Sequence, residues 1–209
     1  MNTLYIVGAG GFGRELESWL TDDELERNNW VLAGFLDDNP DALKGYPHKK
    51  PLCGAISEHV FHDNERVLVA IANSAIKEKI YKQFASMGLI ATYIHQSTII
   101  GNYTEIKTGT IVFPRCIIST NVIIGEMATI NCTTSIGHDC NLGRFCSLMS
   151  NVDLGGGVSL GDHVFMGTKS MVVPRKTIAS NVKISAGSVV IRNHKHAGAT
   201  LFGNPAVEL

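Results

Sequence analysis

The sequence predicts a chain in two parts: half of a Rossmann-type α/β fold over residues 1–92, then a parallel β-helix over residues 93–209. Three observations carry this prediction. A glycine-rich turn, "VGAGGFG", links an apolar run to a helical pattern near the N-terminus. Strand-like and helix-like segments alternate through the first ninety residues. From Ile94 to Val190 an aliphatic residue or a methionine returns at every sixth position.

The elements of the first part follow in order. "TLYIVGA" runs into Gly8, Gly10 and Gly13, which fit G-x-G-x-x-G, and "RELESWL" reads as the first turns of a helix reaching Trp19. Glycines placed this way allow a tight turn and close backbone approach, and the helix N-terminus presents free N–H groups to an anionic phosphate. A second strand, "WVLAGFLDD", ends in Asp37 and Asp38. A Rossmann acid meets a ribose hydroxyl at that place, while a solvated turn is the plainer account of two acids at a strand end. "RVLVAIA", a helix over "SAIKEKIYKQFASMG" and "IATYI" complete a unit of about four parallel strands. The pattern stops after one half of a dinucleotide fold. That leaves room for a single nucleotide and argues against a hydride-transferring dehydrogenase.

The second part begins abruptly. A six-residue period suits neither a helix nor an alternating strand, but it suits a short strand plus a corner, repeated. Three such units make a triangular coil, and the span holds between five and six coils of 18 residues. Each aliphatic residue points to the axis and stacks on its equivalent about 4.8 Å along, while small residues and glycines fit the corners. Outward apolar residues such as Ile99, Phe113, Ile117, Ile123, Phe145 and Phe165 would leave patches exposed unless a neighbour covered some of them. Threefold packing of prisms would do so.

Composition excludes several functions. The formal charge is −1 with no lysine or arginine run, so neither nucleic acid nor an anionic membrane surface is an expected partner. There is no run of 18 apolar residues, and the chain opens on a strand-turn-helix unit instead of a cleavable signal, which points to the cytoplasm. Five cysteines without C-x-x-C spacing read as reduced and mostly buried. His48, His59 and His62 read as surface loop residues, and His59 with His62 lacks a third ligand, so no metal site is expected.

The glycine-rich start, "FLDD", "VLVAIANSAIKEKI", "INCTTSIGHDC" and a closing "LFGNPA", in this order, resemble the NeuD and PglD type of bacterial sugar acetyltransferase over nearly the whole chain. The resemblance implies a left-handed β-helix, a homotrimer, and transfer of acetyl from acetyl-CoA to a sugar amine or hydroxyl. It implies that Gly8, Gly10, Gly11 and Phe12 lie by a sugar nucleotide, with Asp37 or Asp38 on its base or ribose. His138 matches the family's catalytic base, Asp139 the acid that orients the ring, and Gly156 the backbone donor to the thioester oxygen. Asn131 matches a segment that binds the acceptor or supports the site, although an asparagine is equally expected at a β-helix corner. Gly203, Asn204 and Pro205, in "GNPA", match a CoA-binding tail, and Gly167, Ala186 and Gly187 should offer backbone groups to the same ligand. Ser147 stands where many relatives have a histidine that contacts the acetyl group.

Three functions fit this sequence. The first is N-acetylation of a nucleotide-linked amino sugar, a UDP-, dTDP- or GDP-linked 4-amino-4,6-dideoxyhexose, for surface-glycan synthesis. The second is O-acetylation of sialic acid or a related sugar. The third is a non-catalytic β-helix scaffold that binds a nucleotide.

Overall fold

The computed structural model describes residues 1–209, which separate into two units, Met1–Thr92 and Tyr93–Leu209. In the first, β1 (Asn2–Val7) lies between β2 (Trp30–Leu36) and β4 (Glu65–Val69), and β3 (Leu52–Gly54) extends the sheet beyond β2. All pairs are parallel, in the order β3-β2-β1-β4. The runs are apolar on successive residues, as strands covered on both faces require, and Leu4, Ile6, Phe35, Val67 and Leu68 are buried. Helix α1 (Gly11–Trp19) follows β1, and α3 (Ser74–Phe84) follows β4, capped by Asn73 on the N–H groups of Ala75 and Ile76.

Two details differ from the sequence reading. The fourth strand is Leu52–Gly54, whereas the "IATYI" segment contributes to this sheet only a bridge from Ile90 to Val67. A short helix, α2 (Asp22–Arg27), intervenes before β2, held by a capping box between Thr21 and Glu24.

The second unit is a β-helix of seventeen two-residue strands, β5 (Tyr93–Ile94) to β21 (Val189–Val190), in three parallel sheets. Each strand pairs with the strand three places along, as Ile118 does with Ile136 and Ile136 with Leu154, which gives the 18-residue coil. The axis positions from Val112 to Val190 form one continuous buried core. The first coil departs from this: Ile94 and Ile100 remain exposed because no coil lies beneath them. At the other end β22 (Thr200–Gly203) pairs with Lys183–Ile184, and β23 (Ala206–Glu208) folds back antiparallel on β22.

Of the outward residues expected to form patches, Ile99, Ile117, Ile123 and Phe165 are exposed. Phe113 and Phe145 are buried instead. Phe145 is stacked on the His163 ring, 4.9 Å between centroids, and the Arg144 guanidinium lies 5.1 Å from the Phe145 ring centroid.

Candidate active site

Corners of a β-helix stack along three edges, and the chemistry of this unit follows from which residues share an edge. Along one edge the backbone links Thr120 to Asp139, His138 to Gly157 and Gly156 to Arg175, so His138 and Gly156 occupy equivalent places in successive coils. The His138 Nδ1 lies 2.6 Å from Asp139 Oδ2, and Asp139 Oδ1 accepts a hydrogen bond of 2.6 Å from Asn121 Nδ2, one coil below. These bonds, Asn121's first and His138's second, hold the Asp139 carboxyl below the usual aspartate range. An ionised Asp139 fixes the imidazole proton on Nδ1 and leaves Nε2 as the basic atom.

Gly156 has a steric role that the sequence did not announce. A Cβ on it would sit 2.5 Å from His138 Nε2 and 2.7 Å from Cε1, so the ring rests in the space that the missing side chain leaves. The Gly156 N–H has no acceptor within the chain.

The residues matched to CoA lie elsewhere on the prism. Pro114, Thr133, Cys132, Asn151, Ser150, Lys169, Thr168 and Gly187 are linked along a second edge, which also carries exposed Ala186. Asn131 adjoins this edge, where its Oδ1 accepts from Cys132 N at 2.6 Å and Ser150 Oγ at 3.1 Å. One chain therefore brings His138, Asp139 and Gly156 together but separates them from Asn131, Ala186 and Gly187. Gly167 is buried with its N–H on Ile184 and its carbonyl taken by Ser170, and it is glycine because a Cβ would meet Ala186 N at 2.5 Å. Its polar groups serve the coil. Ser147 is buried, 3% exposed. Asn204 and Pro205 are exposed at the turn between β22 and β23, and Gly203 N donates to Ser188 Oγ at 3.1 Å.

In the first unit the three motif glycines have different reasons. Gly8 takes φ +99°, and a Cβ there would strike Ala70 O at 2.8 Å; a Cβ on Gly13 would drive into the Gly8 carbonyl. Gly10 faces open space. The Asp37 carboxylate accepts from Ala9 N at 2.8 Å and Asn39 N at 2.9 Å, so it braces the turn. Asp38 Oδ1 accepts from Ser57 N and Oγ.

Comparison with known proteins follows these two halves. Residues 3–84 match the family model described as the PglD N-terminal domain. The match lies within the first unit. Over all of its length the chain is 28% identical to a GDP-perosamine N-acetyltransferase of Escherichia coli O157:H7, covering 97% of that protein. Among solved structures it superposes on PerB of Caulobacter crescentus in complex with CoA and GDP-perosamine, with a TM-score of 0.85 at 25% identity, over 100% of this chain and 98% of that one. The acetyltransferase domain of PglB from Neisseria gonorrhoeae FA1090 gives 0.88 at 23% identity with both chains fully covered, which establishes the fold. The chain is thus similar from end to end to a GDP-perosamine N-acetyltransferase and shares the fold of these structures.

The first unit holds further groups that the motif did not single out. Arg14 donates to Ala9 O at 3.1 Å and stacks 3.7 Å over the Tyr46 ring, which places a cation beside the glycine turn. Residues Cys53, Gly54, Ala55, Glu58, His59 and Val60 line a cavity of about 270 Å³ next to Ser57. His59 is half-buried instead of on the surface: it bonds Glu65 at 3.1 Å and meets the Tyr5 and Phe61 rings edge to face. Burial alone would raise the Glu65 pKa, but donors from His62 N–H and His59 outweigh it and hold the carboxyl below its usual range. All five cysteines are free, and three are buried. No helix is long and apolar enough to cross a membrane, and no three His, Cys, Asp or Glu residues gather as a metal-ligand set.

Proposed function

We propose that this protein is an acetyl-CoA-dependent N-acetyltransferase that acts on a nucleotide-linked 4-amino-4,6-dideoxyhexose in surface-glycan synthesis. The observation that carries the reading is the His138–Asp139 pair seated on Gly156, in a chain homologous from end to end to a GDP-perosamine N-acetyltransferase. His138 Nε2 accepts the proton that the sugar amine loses as its nitrogen attacks the thioester carbon. Asp139 holds Nδ1–H and stabilises the imidazolium, and the Gly156 N–H donates to the oxyanion of the tetrahedral intermediate. Collapse of that intermediate breaks the carbon–sulfur bond, and the leaving thiolate takes the proton back from His138. No other base is required.

The acceptor's nucleotide is assigned to the glycine turn. Gly8 and Gly13 are fixed by packing within the chain, but Gly10 is not, which fits a position kept bare for a ligand. Gly11 and Phe12 continue the turn into the open N-terminus of α1, and Arg14 supplies charge for a diphosphate. Asp37 acts through the turn that it braces, which leaves Asp38 as the acid for the base or ribose.

The donor is assigned to the edge with Ala186 and Gly187 and to the tail with Gly203, Asn204 and Pro205. Because His138 and that edge are apart in one chain, a complete site requires a second copy, and we assign the working form as a homotrimer. Thiol release from acetyl-CoA with UDP-, dTDP- and GDP-linked 4-amino-4,6-dideoxyhexoses tests the reading. One amino sugar nucleotide should support turnover, and His138→Ala should lower it on the order of a hundredfold or more. Release with free sialic acid alone would move the protein to O-acetylation, and a His138→Ala protein near the wild-type rate would remove the base.

A further inference from the structure

The His138–Asp139 pair has a third member one coil away. Asn121 and Asp139 both occupy corners in the left-handed α region, with φ of +57° and +61°, and lie 18 residues apart on the same edge. Asp139 N donates to Thr120 O at 3.1 Å, which binds the Asp139 corner directly over that of Asn121. The Asn121 Nδ2 then reaches Asp139 Oδ1 at 2.6 Å, while Asp139 Oδ2 faces His138 Nδ1 at 2.6 Å. The two carboxylate oxygens are thus divided between two donors.

This division matters because the edge is open to water. The His138 and Asp139 side chains are 64% and 55% exposed, so packing does little to hold either rotamer. An exposed aspartate with one partner can turn about its χ angles and exchange that partner for water. Asn121 is donor-only through Nδ2, and its own backbone is tied to Asn102 O at 3.0 Å. It therefore pins one carboxylate oxygen from a fixed point and aims the other at the ring.

Resting on the reading of His138 as the base, we infer that Asn121 is a positioning residue for the transfer: it orients Asp139 so that the His138 imidazole keeps its proton on Nδ1 and its lone pair on Nε2. The alternative is a plain corner asparagine chosen for its tolerance of positive φ, the role open to Asn181 at φ +62° on another edge.

Asn121→Gly separates the two, because glycine accepts the corner conformation and removes only the amide. The experiment measures thiol release and, in parallel, the ¹⁵N shifts of the ring in histidine-labelled protein above the imidazole pKa, with the His138 signals identified by their loss in His138→Ala. In the wild type the neutral ring should be mainly the Nδ1–H tautomer. In Asn121→Gly it should move toward Nε2–H, and kcat should fall on the order of tenfold with little change in the KM for acetyl-CoA. Asn181→Gly, the backbone control, should leave both unchanged. An unmoved tautomer in Asn121→Gly, with or without a slower rate, overturns the inference. The tautomer comparison does not depend on turnover, so it stands or falls apart from the identity of the acceptor.

Discussion

Gly156 has two jobs at a single Cα: it leaves the space in which the His138 ring rests, and it presents a backbone N–H with no acceptor of its own. The two can be separated. Gly156→Ala keeps the N–H but places a methyl 2.5 Å from His138 Nε2, so the ring must move. We expect the variant to fold with an unchanged far-ultraviolet circular dichroism spectrum and to lose about a hundredfold in kcat/KM, the scale of a misplaced catalytic group. Activity within a factor of two of wild type would show that the ring has another productive position. His138, Asp139 and Gly156 are legible in the sequence through the family resemblance, which marks each of them. Asn121 carries no such mark, although the 18-residue period, applied backwards from Asp139, reaches it. Nothing local marks it, since asparagine at a corner is ordinary.

At the scale of elements, the turn between β1 and α1 sorts its glycines by consequence. Gly13→Ala forces a methyl into the Gly8 carbonyl and should destabilise the first unit by about 1–3 kcal/mol in chemical denaturation. Gly10→Ala meets nothing and should stay within about 1 kcal/mol of wild type, while the KM for the nucleotide sugar rises at least tenfold. Equal effects of the two on stability, or none on KM, would deny Gly10 its ligand role. The three glycines look alike in sequence because only their surroundings separate them. The same limit explains Phe113 and Phe145, which the six-residue register places outside and the folded chain buries, and His59, a loop residue in sequence and the partner of Glu65 in space. The axis residues from Val112 to Val190 are legible in the six-residue period, since a narrow prism admits only aliphatic side chains or a methionine at its centre.

For the whole molecule, the proposed function makes association part of catalysis, because His138 and the Ala186–Gly187 edge assigned to the donor are apart in one chain. Ile99 and Ile117 pair in neighbouring coils of one sheet, and both are exposed. Ile117→Lys should yield a smaller species in analytical ultracentrifugation, with a retained β spectrum and no thiol release. Full activity in a verified monomer would refute a shared site. The tail has a consequence of another kind. A stack of identical parallel rungs is an open ladder that offers its last rung as a template for another molecule, as an amyloid tip does. Here β22 adds one more parallel rung and β23 then reverses direction, so the ladder ends in an antiparallel strand that a further coil cannot continue. The opposite tip, where Ile94 and Ile100 are uncovered, has no complementary end to grow onto. The residues assigned to the donor thus also make the protein a finite particle instead of a fibre.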